Sequence, residues 1–407
     1  MPTSILAVSR RAGKRAALLD EPVTGLRGLL GQLFDGQVNP ALVWCRDVHS
    51  GHSWVPVVEL VIAPPFRVGV TRDLLLPDGA GPIADVGLDL LESGGIEWAF
   101  LGDDVDELSP HLIDGFDAIF VGGPRVTARS IAGSERLALM ARFGVGYEKI
   151  DVEACTQAGI LVTITPEAVR RPVAVAALTL LLSLSQNLRS LDYLTRDGRW
   201  HERANFLGIG LVGRTVGAVG LGNIGQEFFR LIEHFGMRRL AHDPYVDAKS
   251  ARAVGAELVE LDVLCRESDF IVVMCTLTPE THHLLDAKRL KLMKESALLV
   301  NVARGAVIDQ IALTAALRER RIRGAGLDVF EREPIDPTDP LLSLDNVILT
   351  PHALCSTDQC LRDCGASACA SILDVAGGRV PEFVVNRGVL DHPGVLAKMA
   401  GRRRAFA

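Results

Sequence analysis

Three polar residues in the second half of this 407-residue chain are of types that could do acid–base chemistry on a carboxylic acid. Arg304 follows Asn301-Val302-Ala303. Glu333 closes the run Leu327-Asp328-Val329-Phe330-Glu331-Arg332-Glu333 before Pro334. His352 ends Leu349-Thr350-Pro351-His352. Arginine presents a planar fork that matches a carboxylate. Histidine exchanges a proton near neutral pH, and a glutamate beside a histidine stabilises its charged form. Taken singly, each residue reads as well as a surface group. Their position downstream of a phosphate-binding loop is what makes them a set.

That loop is Gly220-Leu221-Gly222-Asn223-Ile224-Gly225, preceded by the buried-strand pattern Val216–Val219 and followed by the helical stretch Gln226–Phe235. The spacing has a physical reason. Gly220 allows the tight turn, Gly222 lets the backbone approach a pyrophosphate, and Gly225 lets helix and strand pack closely. The helix start then offers unpaired N–H groups to the phosphates. Asp243 ends the next strand, where a carboxylate accepts hydrogen bonds from a ribose diol and repels a 2′-phosphate. NAD is therefore expected rather than NADP.

The elements that must position these residues alternate in type. Arg67–Thr71, Ile96–Leu101 and Asp117–Val121 read as strands, with a helix over Ala84–Ser93. A second set comprises Thr215–Val219, Arg239–His242, Asp269–Cys275, Ala297–Val302, Ala325–Val329 and Val347–Leu349, with helical segments such as Asp309–Arg320 between most of them. This rhythm predicts an α/β fold of two doubly wound, Rossmann-like parallel-sheet domains. Arg304, Glu333 and His352 fall at or just beyond strand ends, where open parallel sheets bind ligands.

Composition narrows the function classes. With 48% hydrophobic and 23% charged residues the chain is globular, and a net charge of −7 argues against a nucleic-acid partner. The most apolar run, Val173–Leu184, reads as a buried helix too short to span a membrane. Eight cysteines without a C-x-x-C pair read as thiols in a reducing cytoplasm.

Residues 1–66 read as an N-terminal extension of uncertain structure. Its basic Arg10, Arg11, Lys14 and Arg15 are followed by Asp20 and Glu21, which break any secretory apolar stretch. A native start near Phe66 stays open. Ala41–Trp44 and Val55–Ile62 are strand-like around a loop holding His49 and His52, which lack companion ligands nearby, so no metal site is expected.

Several stretches carry a family resemblance. They are Gly144-Val145-Gly146-Tyr147-Glu148-Lys149-Ile150-Asp151, the glycine loop, Leu277-Thr278-Pro279-Glu280-Thr281, Asn301–Asp309, Ala325–Pro334 and Thr350–Thr357. From Arg67 to Leu390 the chain resembles the D-isomer-specific 2-hydroxyacid dehydrogenases. The resemblance implies a discontinuous substrate domain, residues 67–165 and 353–392, around an NAD-binding domain, residues 166–352, with 393–407 as a tail. It implies a homodimer acting on a 2-hydroxyacid or 2-oxoacid, with the helix 173–188 near the interface. Arg304 would bind the substrate carboxylate, His352 would exchange the proton, and Glu333 would hold His352. NAD would lie against Gly220, Gly222, Asn223, Ile224, Gly225, Asp243, Thr276, Ala303 and Asp328, the last on the nicotinamide amide. Substrate would meet Val145, Gly146, Arg142 and Gly123. A cofactor-sensing, weakly catalytic binding protein on the same scaffold is the rival class.

Some positions depart from the family pattern. Val175 stands where many relatives have glutamate, and Met274 and Thr276 where histidine and proline are frequent. Ser356-Thr357 resembles the phosphoglycerate and glyoxylate/hydroxypyruvate branches. Arg142 matches one phosphate-reading arginine of the phosphoglycerate branch, but Val121, followed by Gly122-Gly123, replaces the other. Cys360 and Cys364 are one helical turn apart on a predicted helix with Cys369 off that face, which reads as small-residue packing. Cys355, close to His352 in sequence, is expected to confer sensitivity to thiol reagents.

Overall fold

The computed structural model describes residues 65–406 except 77 and 80, together with six short strands before residue 65. Those strands form three antiparallel pairs: Ser4–Ile5 with Leu19–Asp20, Asn39–Pro40 with Leu60–Val61, and Trp44–Arg46 with Trp54–Pro56. His49 and His52 lie outside the described residues. The chain divides into two units. One comprises Met1–Ile83, Gly87–Ile164 and Gly365–Ala407, the other Ala84–Val86 and Thr165–Cys364.

In the first unit β1 (Arg67–Val70), β2 (Glu97–Phe100), β3 (Ala118–Val121), β4 (Leu139–Arg142) and β5 (Leu161–Thr163) make one parallel sheet in the order β5-β4-β3-β1-β2. Helices α1 (Leu88–Ser93), α2 (Pro110–Ile113) and α3 (Val152–Gln157) connect them. The strand order reverses between β1 and β3, which makes that crevice the natural ligand position of this sheet. Its core holds Leu101, Ile119, Val121, Met140 and Val162.

The second unit opens with α4 (Pro166–Ser185) and α5 (Leu188–Arg196). Its strands are β6 (Thr215–Val219), β7 (Arg238–His242), β8 (Ala256–Leu258), β9 (Phe270–Val273), β10 (Leu298–Asn301), β11 (Gly324–Leu327) and β12 (Val347–Leu349). All run parallel in the order β8-β7-β6-β9-β10-β11-β12, with α6 (Asn223–Leu231), α7 (Ala248–Ala253), α8 (Leu261–Glu267), α9 (Ala287–Leu292) and α10 (Gln310–Arg318) between them. The central strands are buried along their whole length, as a sheet covered on both faces requires. Alternate residues feed two cores: Phe270, Val272, Leu298 and Val300 face one, Ile271, Val273 and Leu299 the other. At the amino edge Asp269 accepts from the Thr215 amide at 2.9 Å and pairs with Lys294 at 3.0 Å, fastening β6 to β9.

α11 (Asp358–Ala376) carries the chain from the second unit back into the first, and α12 (Pro393–Phe406) ends it. The division falls at residue 364, inside α11, whereas the sequence reading placed it after His352. A second difference concerns α4. By length and composition alone its 20 residues, which contain an 18-residue window of mean hydropathy 1.4, are long and apolar enough to cross a membrane, contrary to the expectation from the shorter run Val173–Leu184. The helix starts earlier because Pro166 occupies its first turn, where the missing N–H costs nothing. Its face of Ala174, Ala177, Leu181 and Leu184 is buried in the core with Val216, Ala218 and Val300. The strands β4, β5 and β8 escaped the sequence reading.

Candidate active site

The cofactor loop can be built glycine by glycine. Gly220 has φ +96°, and a β-carbon there would lie 2.6 Å from the Cys275 amide nitrogen. A β-carbon on Gly225 would overlap the carbonyl of Gly220, so this residue sets the approach of α6 to β6. Gly222 is different in kind: nothing lies within 4 Å of the position its β-carbon would take. That open space stands at the N-cap of α6, which has no side-chain cap. A bare helix N-terminus beside an open backbone fits a pyrophosphate. Asn223 is the first residue of α6, and Ile224 packs against the core beneath it. Asp243, just beyond β7, accepts from the Leu221 amide at 2.8 Å through Oδ2 and from the Tyr245 amide at 2.9 Å through Oδ1. These bonds pin the carboxylate to the loop, as a ribose-binding acid must be. The residues present therefore fit NAD. Thr276 lies exposed beyond β9.

The catalytic candidates converge at the carboxyl ends of β10, β11 and β12. At the end of β10, buried Asn301 accepts from the Ala303 amide at 3.0 Å and donates to the Arg304 carbonyl at 3.0 Å. This side chain, which the sequence reading did not single out, shapes the turn presenting Arg304. Arg304 Nη1 also donates to the Ala303 carbonyl at 2.6 Å. The next residue must be glycine, because a β-carbon on Gly305 would overlap the backbone of Phe330 and Glu331. The Arg304 loop is thereby pressed against the segment leading to Glu333.

Past β11, Asp328 is 4% exposed. Its Oδ1 accepts from Thr350 Oγ1 at 2.6 Å and from the amides of Ala353 and Leu354 at 3.1 and 3.2 Å. Asp328 thus clamps the turn around His352 from both sides, a positioning role that its place in the sequence did not reveal. His352 itself has φ +52°, a left-handed conformation that this clamp holds. Its Nδ1 lies 2.7 Å from Glu333 Oε2, while Glu333 Oε1 accepts from the Phe330 amide at 3.1 Å. Burial alone would raise the Glu333 carboxyl. The His352 hydrogen bond and charge, the Phe330 amide and the charge of Arg304 outweigh it and hold the carboxyl below its usual range. Glu333 is consequently ionised at neutral pH and feels both partners. With Nδ1 engaged, Nε2 is the ring nitrogen that can exchange a proton with a ligand.

The remaining expected residues belong to the first unit. Arg142 at the end of β4 donates through Nε to the Gly146 carbonyl at 2.7 Å and through Nη1 to the Phe143 carbonyl. It braces the loop holding Val145 and Gly146. At the β1/β3 crevice, buried Thr71 accepts from the Gly122 amide at 2.9 Å, and Asp73 Oδ2 accepts from the Gly123 amide at 2.6 Å. Asp73 stands where a side chain at Gly122 would be. A cavity of about 540 Å³, lined by Ser183, Arg189, Ser296, Arg323 and Asn346 among others, lies at the amino ends of β10–β12, the edge opposite this chemistry.

Comparison with known proteins places this arrangement. A family model described as D-isomer specific 2-hydroxyacid dehydrogenase, NAD binding domain, matches residues 178–353. A glyoxylate reductase of Thermococcus onnurineus is 41% identical over 273 residues, covering 66% of this chain and 81% of that protein. The chain belongs to the D-isomer-specific 2-hydroxyacid dehydrogenase family. A D-3-phosphoglycerate dehydrogenase of Methanocaldococcus jannaschii is 39% identical over 307 residues, 75% of this chain, which spans only 58% of that longer relative. Among solved structures, D-lactate dehydrogenase from Aquifex aeolicus, complexed with NAD and lactic acid, superposes with a TM-score of 0.70 at 28% identity, covering 78% of this chain and 99% of that one. As a member of the D-2-hydroxyacid dehydrogenases the protein is an NAD-dependent oxidoreductase.

Proposed function

We propose that this dehydrogenase interconverts a small, unphosphorylated 2-oxoacid and its D-2-hydroxyacid, with Arg304, Glu333 and His352 as the working residues. The His352–Glu333 pair, with Arg304 close enough to depress Glu333, is the observation that carries the reading. NAD, when bound, accepts or supplies the hydride. Arg304 grips the substrate carboxylate in its fork. His352 gives its Nε2 proton to the carbonyl oxygen during reduction and takes the hydroxyl proton during oxidation. Glu333 keeps the ring oriented and stabilises its charged form. Cofactor contacts run along Gly220, Gly222, Asn223, Ile224, Gly225, Asp243, Thr276, Ala303 and Asp328. The backbone of Val145 and Gly146 is assigned to the substrate.

The identity to a phosphoglycerate enzyme favours a second reading, with D-3-phosphoglycerate as substrate. Two features of the first unit oppose it. Arg142 is turned onto its own loop, and the carboxylate of Asp73 stands at the crevice beside Gly122 and Gly123. Like charge there disfavours a phosphate tail. Loss of NADH absorbance with hydroxypyruvate and 3-phosphohydroxypyruvate decides between them. The unphosphorylated acid should give at least about a tenfold higher kcat/KM, since one opposed charge contributes on the order of 1–2 kcal/mol near a surface. Preference for the phosphorylated acid would overturn the tail assignment. We further infer a cytoplasmic homodimer, consistent with the described cysteines all being unbridged.

A further inference from the structure

Glu331 stands two residues before Glu333, and hydrogen bonds fasten both its backbone and its side chain. Its amide donates to Gln310 Oε1 at 3.1 Å, and its own Oε1 accepts from the Gln310 amide at 2.9 Å. The same oxygen lies 2.8 Å from His283 Nε2. A carboxylate oxygen only accepts, so Nε2 carries the proton. Gln310 is the first residue of α10, and its Nε2 donates to Asp339 Oδ2 at 2.8 Å. His283 has φ +49°, a left-handed backbone that histidine keeps where its neighbours fix it. Here they do. Its amide donates to the Ala306 carbonyl at 2.8 Å, and the Leu285 amide to the Val307 carbonyl at 3.1 Å. The ring of His282 stacks on that of His283 with centroids 4.1 Å apart.

The segment that follows Arg304 touches both of these neighbours. Residues 306–309 bond through the backbone to 283–285, and Gly305 is pressed against the backbone of Phe330 and Glu331. The His283–Glu331 bond ties the two neighbours to each other and so closes a ring of contacts around the Arg304 loop.

We propose that His283 and Glu331 are positioning residues, a staple that sets the Arg304 fork in register with the Glu333–His352 pair. Each end of the staple leads to one part of the site. From Glu331 the chain passes directly to Phe330, whose amide holds Glu333 Oε1 at 3.1 Å. From His283 the Ala306 carbonyl leads back to Arg304, two residues away. Opening the bond therefore loosens the carboxylate-binding loop and the proton-transfer pair against each other. Misplacement by a fraction of an ångström is costly to a reaction even when it starts away from the reacting atoms. Stability responds less. The two side chains are 37% and 30% exposed, and an ion pair so open to solvent contributes little to folding. The kinetic part of the proposal rests on the reading of Arg304, Glu333 and His352 as the working residues; the staple itself does not.

The test compares the full-length wild type with Glu331→Ala, Glu331→Gln, His283→Asn and the double variant Glu331→Ala/His283→Asn. Asparagine accepts the left-handed backbone but is too short to reach residue 331. NADH absorbance with glyoxylate and hydroxypyruvate gives kcat and KM, fluorescence gives the NADH Kd, and hydrogen exchange read by peptide mass reports the staple directly. In Glu331→Ala we expect kcat to fall at least about tenfold and the 2-oxoacid KM to rise at least about threefold, with the NADH Kd unchanged within about twofold. Peptides covering 304–310 and 328–335 should exchange at least about fivefold faster, and the one covering 220–225 at its former rate. Glu331→Gln, whose amide oxygen accepts the same bonds, should keep kcat, KM and exchange within about twofold of the wild type. The double variant should be no worse than Glu331→Ala, because the two residues act through one bond. Unchanged exchange in both Glu331→Ala and His283→Asn would overturn the staple. Faster exchange with unchanged kcat and KM would overturn its part in the reaction. NADH affinity lost in step with rate, no rescue by glutamine, or additive losses in the double variant would each overturn the assigned pair. Should Glu331→Ala fail to fold, His283→Asn alone carries the same kinetic and exchange readouts. If the wild type reduces no 2-oxoacid, the functional reading fails separately, and exchange still decides the staple.

Discussion

His352, the proposed proton-transfer residue, shows how little of such a site lies in its own side chain. Its left-handed backbone depends on Asp328, its ring on Glu333, and Glu333 on the Phe330 amide. The residue types and their places at strand ends were legible in the sequence, because arginine, glutamate and histidine beyond parallel strands have few other uses together. The supports were not. Asp328 and Asn301 are short polar residues at ordinary strand ends, and only the fold shows that they hold the turns carrying His352 and Arg304. The Glu333 carboxylate gives a testable prediction. Reduction needs a proton on His352 Nε2, and Glu333 holds the ring through Nδ1. Glu333→Gln should therefore lower kcat for reduction at least about tenfold while leaving the NADH Kd unchanged within about twofold. An unchanged kcat would remove Glu333 from this role.

At the scale of elements, the glycine loop separates folding from binding. Gly222 faces open space and has φ −68°, which any residue adopts, whereas Gly225 is jammed against Gly220. Gly222→Ala should keep Tm within about a degree but raise the NADH Kd at least about tenfold, because its methyl takes the room of a pyrophosphate. Gly225→Ala should lower Tm clearly, since α6 must move off β6. Calorimetry with fluorescence titration distinguishes the two. Asp269 makes a matching prediction for the sheet. Burial raises its carboxyl, but the Thr215 amide, Lys294 and Arg214 outweigh this and hold it below the usual range. A carboxyl depressed in the folded state stabilises above its unfolded pKa and loses that contribution as pH falls through the folded one. Asp269→Asn should cost about 2 kcal/mol at neutral pH and progressively less below about pH 4 in urea unfolding. An equal cost at both pH values would contradict the linkage. Most strands of both sheets were readable as apolar runs. The short β4, β5 and β8 were not, and the register of the sheets depends on long-range pairing that no local pattern carries.

Over the whole molecule, the second unit leaves large apolar side chains exposed along one continuous segment. Leu188, Tyr193, Trp200, Leu207 and Val212 range from 54% to 85% exposed. Exposed apolar groups gathered in one stretch mark an association surface, and a second copy of the chain is its proposed occupant. Light scattering should give twice the mass of one chain, and Leu207→Asp should shift the protein toward monomer. A monomeric wild type would contradict the assignment.

The central claim is that His352 moves the proton in an NAD-dependent reduction. It is tested most directly by following NADH absorbance with glyoxylate and hydroxypyruvate for the wild type and His352→Gln, with the NADH Kd measured for both. The account predicts turnover by the wild type, a fall in kcat of at least about a hundredfold in the variant, and NADH affinity unchanged within about twofold. Comparable turnover by the two proteins, or a loss of NADH binding that matches the loss of rate, would contradict it.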